Sequence, residues 1–220
     1  ASGEKNFVVW SAISLLAEIM KIYHALELLE TQGIAALHKY FEKLISESRI
    51  AKTKAIKSIM NDFNFKSAMI KARILHEEKA EHPKLIELQN IVGNEIKQNI
   101  NTKMIVFNQY RDNALDIIEK LNTIENVKAN IFVGQQKKGG TGLSQKEQKQ
   151  MLDGFRNGLF NILVATSIGE EGLDIPKVDL VIFYEPIPSA IRSIQRRGRT
   201  GRQEKGRVII LMTKGTRDEA

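Results

Sequence analysis

Leu163-Val-Ala-Thr-Ser-Ile-Gly-Glu-Glu-Gly-Leu-Asp-Ile-Pro176 joins an apolar run to a glycine-spaced loop. The run, Ile162-Leu-Val-Ala165, has the length and branching of a buried strand. Thr166 and Ser167 then sit at its carboxyl end, where open α/β sheets bind ligands. Gly169 and Gly172 permit close backbone approach, and Asp174 can accept from a ribose hydroxyl. Taken alone, an aspartate in such a setting is more often an ordinary turn residue.

Similar runs lie on either side. Met104-Ile-Val-Phe107, residues 129–133, Leu180-Val-Ile-Phe183 and residues 207–212 read as further strands. Helical stretches around 110–121, 144–157 and 189–197 separate them, and a loop with Gly134, Gly139, Gly140 and Gly142 precedes the second. Strands alternating with helices imply parallel βαβ units, and hence a doubly wound α/β sheet.

Upstream the texture is all-helical. Ile13-Ser-Leu-Leu-Ala-Glu-Ile-Met-Lys-Ile-Tyr23, continuing through Leu29, is apolar nearly all round and predicts a buried helix. By the same reading Trp10, Tyr23 and Phe41 are core residues. Gly33 offers a stop, and a second helix follows through Leu37, Phe41 and Leu44. Further helices carry Ile56, Ile59, Met69 and Leu75, and Pro83 suits the first turn of another. The polar patch 98–102 marks the change of texture, so the expected domains are 1–99 and 100–220.

Composition narrows the class. Lys+Arg 33 against Asp+Glu 26 gives a net charge of +7, which permits an anionic partner. The absence of cysteine excludes disulfide scaffolds, thiolate metal sites and cysteine catalysis. No uninterrupted apolar stretch is long enough to span a bilayer, and the four histidines lack metal-ligand spacing, so neither a membrane nor a metal site is expected. A cytoplasmic location is the corresponding expectation.

Two basic segments differ in kind. Arg49, Lys52, Lys54, Lys57, Lys66, Lys71 and Arg73 face only one acid in the same stretch, Asp62. Such a run is either a solvated helix face or a surface that tracks phosphates without base preference. Gln195-Arg-Arg-Gly-Arg-Thr-Gly-Arg202 instead sets four arginines in eight residues, spaced by Gly198 and Gly201. The glycines allow sharp turns, and guanidinium groups meet phosphate oxygens in pairs. A transferring phosphoryl group calls for that arrangement.

The 163–176 and 195–202 stretches resemble motifs V and VI of superfamily 2 helicases, and Ile105-Val-Phe-Asn-Gln-Tyr-Arg111 resembles motif IV. The resemblance covers 103–215 and implies a RecA-like parallel sheet flanked by helices, the second motor domain of such an enzyme. It also implies ATP with Mg2+ as cofactor. By the family pattern Arg199 and Arg202 are arginine fingers, Gln195 meets the phosphates, and Gly172 with Asp174 touches the nucleotide sugar. Thr166, Asn108 and Gln109 meet the nucleic-acid backbone.

Val133-Gly-Gln135, Phe183-Tyr-Glu-Pro-Ile-Pro-Ser189 and Lys214-Gly-Thr-Arg-Asp-Glu219 resemble the Hef family more narrowly. This family comprises archaeal helicase–nucleases of forked DNA and is related to the Fanconi anaemia group M helicases. Tyr23-His-Ala-Leu-Glu-Leu-Leu-Glu-Thr-Gln-Gly33 is similar to the start of that family's helical insert, and His82-Pro-Lys-Leu85 to its end. In the wider group, which includes Dicer and the cytosolic RNA sensors, the insert grips duplex or branched nucleic acid.

No Gly-x-x-x-x-Gly-Lys-[Ser/Thr] loop and no Asp-Glu-x-[Asp/His] sequence is present. The expectation is a piece of an ATP-dependent DNA helicase or translocase of forked or branched DNA. Its partners would be DNA, a first RecA-like domain and, in some relatives, a nuclease domain. Alone the chain should not hydrolyse ATP, because arginine fingers need a phosphate cradle to act on. An RNA-directed relative, or a nucleic-acid-binding module without motor activity, remains the alternative.

Overall fold

The computed structural model describes residues 7–50, 54–134, 143–166, 177–186 and 207–219. They form two compact units that divide between His82 and Pro83.

The first unit is helical: α1 (Phe7–Thr31), α2 (Ile34–Ile50), α3 (Lys54–Asn61) and α4 (Phe63–Glu77). Leu37, Phe41, Leu44, Ile59, Phe65 and Ala72 interlock with Ala25 of α1 to make its core. Gly33 ends α1 as its position predicts. Its φ of +94° is one that side-chain-bearing residues avoid, and its N–H closes on Leu28 O at 2.8 Å. A Cβ there would lie 2.8 Å from His82 Cβ, so glycine is also demanded by close approach. His82 Nε2 in turn donates to Glu30 O at 3.0 Å and ties the end of the unit to the end of α1. Asp62 caps α4 by accepting from Phe65 N at 2.8 Å.

The reading of α1 as a buried helix does not hold. Phe7, Val8, Val9, Ile13 and Leu16 are exposed, as are Trp10 (65%) and Tyr23 (59%), whereas Phe41 is buried. An all-round apolar pattern reveals how many faces could be covered. It does not say how many neighbours exist, and within this unit the packing of α2 and α3 on α1 leaves much of its apolar surface exposed.

The second unit is α/β. It contains α5 (Pro83–Gln98), β1 (Met104–Asn108), α6 (Arg111–Leu121), β2 (Ala129–Phe132), α7 (Gln145–Arg156), β3 (Ile162–Thr166), β4 (Leu180–Phe183) and β5 (Arg207–Ile210). The five strands form one sheet in the order β2-β3-β1-β4-β5, with every pair parallel. Alternate strand residues face opposite layers. Met104, Val106, Ile162, Val164, Leu180 and Ile182 meet α5 and α6 on one side. Ile105, Phe107, Leu163, Ala165, Val181 and Phe183 meet α7 on the other. Burial on both faces explains why the strands read as continuous apolar runs. A parallel sheet flanked by helices and preceded by a helical bundle is the predicted architecture. The predicted helix over 189–197 lies outside the described residues.

The division differs from the expected 1–99 and 100–220. Leu88 and Val92 of α5 are fully buried in the sheet's core, together with Ile96. The polar patch at 98–102 is thus a turn inside the α/β unit, and the boundary falls at the proline that opens α5.

Candidate nucleic-acid and nucleotide interface

Parallel strands bring all their carboxyl ends to one edge. Asn108 ends β1 and Thr166 ends β3, and the two are register partners. The sheet therefore juxtaposes Thr166, Asn108 and Gln109, the residues that the helicase resemblance implies for the nucleic-acid track. Their exposures differ. Gln109 is exposed, Thr166 is buried, and Asn108 is only 1% exposed. Asn108 Nδ2 is turned inward and donates to Glu185 Oε1 at 3.0 Å. The Asn108 side chain is thus engaged with Glu185 inside the second unit.

Glu185 follows β4 by two residues and is 3% exposed. Its second oxygen accepts from Gln109 N at 3.0 Å. Tyr184 N donates to Phe107 O at 2.8 Å, so the pairing of β1 with β4 extends to this point. A buried carboxylate is costly without such donors. Burial, and then the adjacent Glu185 charge, pushes the Tyr184 hydroxyl above the ordinary phenol value.

The same edge is braced further along. Arg111 Nη2 donates to Gly134 O at 3.3 Å. Gln148, buried in α7, donates through Nε2 to Val133 O at 3.1 Å. Ser144 and Glu147 form a reciprocal cap that starts α7 beside it.

At the start of α5, Lys84 and Asp218 form an ion pair at 2.8 Å with side chains only 4% and 2% exposed. Lys84 Nζ also lies 4.9 Å from the Tyr184 ring centroid, and Asp218 accepts from Thr213 N at 2.9 Å.

Sequence reasoning missed Glu185, Gln148, Lys84 and Asp218. For Glu185 the sequence offers only its place directly after the apolar run Leu180–Tyr184, which does not name a partner.

In the helical unit Arg49, Lys54, Lys57, Lys66, Lys71 and Arg73 are all exposed. They do not share one stripe. Lys66 and Arg73, seven residues apart, line one side of α4, and at 100° per residue Lys71 stands roughly 140° from Lys66. Arg73 Nε is 3.9 Å from Glu77 Oε1, an exposed pair of little energetic weight. Gln195, Arg199, Arg202, Gly172, Asp174 and Lys52 lie outside the described residues. Among the described residues no group of His, Asp and Glu could hold a metal ion, and no helix is long and apolar enough to cross a membrane.

The sequence profile of the helicase conserved C-terminal domain matches residues 83–204. The chain belongs to this helicase family. The match begins at the proline that opens the sheet unit. A profile described as a helical bundle of a putative ATP-dependent RNA helicase matches residues 3–81 of the same helicase chain. The crystal structure of the Pyrococcus furiosus Hef helicase domain superposes with a TM-score of 0.77 at 49% identity, over 99% of this chain and 43% of that one. A putative ATP-dependent RNA helicase of Methanocaldococcus jannaschii is 43% identical, over 97% of this chain and 26% of its own length. An ATP-dependent DNA helicase of Neurospora crassa, mph1, is 37% identical, over 96% of this chain and 19% of its own. The helicase chain thus spans about a quarter or less of the length of these two curated relatives.

Proposed function

We propose that this chain supplies the arginine half of an ATP site and part of the nucleic-acid track of a helicase or translocase acting on forked or branched DNA. The observation that carries the reading is Gln195-Arg-Arg-Gly-Arg-Thr-Gly-Arg202 in a chain of the helicase C-terminal family. Its donors suit the phosphates of ATP. It contains no carboxylate, so the oxygen ligands that Mg2+ requires come from elsewhere. Bound ATP supplies the phosphoryl group whose transfer drives the motor. Arg199 and Arg202 stabilise charge developing on that group, and Gln195 holds it in place. Gly172 lets the backbone approach the nucleotide, and Asp174 accepts from its sugar.

Gln109, Thr166 and the exposed cations of α2, α3 and α4 contribute to the nucleic-acid track. The first RecA-like domain, with the phosphate cradle, belongs to the longer parent protein, as does any nuclease domain. Closure of the two motor domains completes the site, and reopening after hydrolysis shifts the grip along the strand. A second reading, an RNA-directed motor, is favoured by the description of the Methanocaldococcus relative as an RNA helicase.

Fluorescence anisotropy against forked DNA, duplex DNA, single strands and duplex RNA at several salt concentrations tests this. Tightest binding to forks is expected, weakened when Lys54, Lys57, Lys66 and Lys71 are changed to Glu. The logarithmic salt slope should fall by about 0.9 for each phosphate that is no longer neutralised. Preference for duplex RNA selects the second reading, and equal weak binding unaffected by charge reversal refutes both. In the parent, Arg199→Ala should lower ATP turnover by about 10³-fold or more, with a much smaller change in DNA affinity.

A further inference from the structure

The chain leaves β1 toward β3 and β2, and leaves β4 toward β5. Neighbouring strands whose connections diverge open a crevice at their carboxyl ends, the usual ligand position in such sheets. Glu185 occupies the β1–β4 crevice. One carboxylate oxygen takes the Asn108 side chain and the other takes the Gln109 backbone N–H, both at 3.0 Å.

We propose that Glu185 is a positioning residue that presents Gln109 to a phosphate backbone, a role that rests on the nucleic-acid reading above and deepens it. Gln109 is exposed while its own N–H is committed to a group that is 3% exposed. The turn after β1 is therefore pinned from below, while Gln109 itself stays exposed. Hydrogen bonds to a charged acceptor are the strong kind, so the pin is stiff. Glu185 acts through Gln109 and does not itself touch the ligand.

Glu185→Gln separates this role from plain electrostatics. The substitution keeps the size and removes a negative charge. If the carboxylate merely repelled a polyanion from a distance, the variant would bind DNA more tightly. As a positioning residue it does the reverse, because the Gln109 N–H exchanges a charged acceptor for a neutral one and the pin slackens.

The test uses the 220-residue chain with fluorescent forked DNA and a double-mutant cycle. Glu185→Gln and Gln109→Ala should each weaken binding by about 5-fold, and the double variant by no more than either alone. The Gln109 amide should exchange with solvent faster in Glu185→Gln, while the Val106 and Val181 amides keep their protection. Should Glu185→Gln disturb those strand amides, Asn108→Ala removes one arm of the clasp instead, and the same non-additivity with Gln109→Ala is expected. Unchanged or tighter binding by Glu185→Gln, or effects that multiply in the double variant, overturns the proposal. If wild type shows no salt-dependent binding to any nucleic acid, the track reading has failed. If wild type binds through its lysines yet ignores Glu185, only this inference has.

Discussion

Lys84 shows how much a single side chain can decide here. It lies in the first turn of α5, where a lysine ordinarily points into water, yet it is buried against Asp218 and the Tyr184 ring. Breaking one side of such a pair leaves an uncompensated charge and typically costs about 3–5 kcal/mol. Lys84→Ala should show that loss as a lower urea midpoint at unchanged slope, and Lys84→Met combined with Asp218→Asn should recover much of it. Spacing could not reveal this pairing, because 134 residues separate the partners. Gly33 is the opposite case. Its place after an apolar helical run announced a stop, and the positive φ agrees with it. What spacing left out was the second constraint, the His82 side chain pressed against it.

Elements were more legible than their allegiances. Strands β1 to β4 stood out because burial leaves four or five apolar residues nearly in a row, on both faces in β1, β3 and β4. Helix α5 is equally visible as a helix, yet its apolar stripe covers the sheet and the boundary falls before it, not after it. An amphipathic stripe specifies that it must be covered and does not name the cover. The structure makes the consequence measurable. A chain starting at Pro83 retains Leu88, Val92 and Ile96 over the sheet, and one starting at residue 100 loses them. At about 1.5–3 kcal/mol per buried side chain, the shorter piece forfeits on the order of 5 kcal/mol. It should bind a hydrophobic dye and melt without cooperativity, whereas 83–220 should unfold in a sharp transition. Helix α1 erred in the other direction, since its apolar residues outnumber the neighbours packed on it. Of the candidate site, the strand-end positions Asn108 and Thr166 were legible because they follow visible strands. The Glu185 clasp was not, because it joins residues 76 and 77 positions apart.

At the scale of the molecule, two units with different folding demands share one chain. The helical unit is built from neighbouring helices, and the other from strands that pair across long stretches of sequence. Local contacts form sooner than non-local ones. Stopped-flow refolding should therefore show a fast phase, retained in a 1–82 piece, and a slower phase retained in 83–220. A single phase common to both pieces contradicts this. The central position of β1 carries a further cost during synthesis. Its neighbours β3 and β4 both come later in the chain, the second ending only at Phe183. At roughly 5–20 residues per second, the ribosome takes about 4–15 s to travel from the end of β1 to the end of β4. Until Thr166 is made, Met104–Phe107 is an apolar strand with two open edges, and until Phe183 is made it still has one, so a nascent-chain chaperone has its longest reason to stay there.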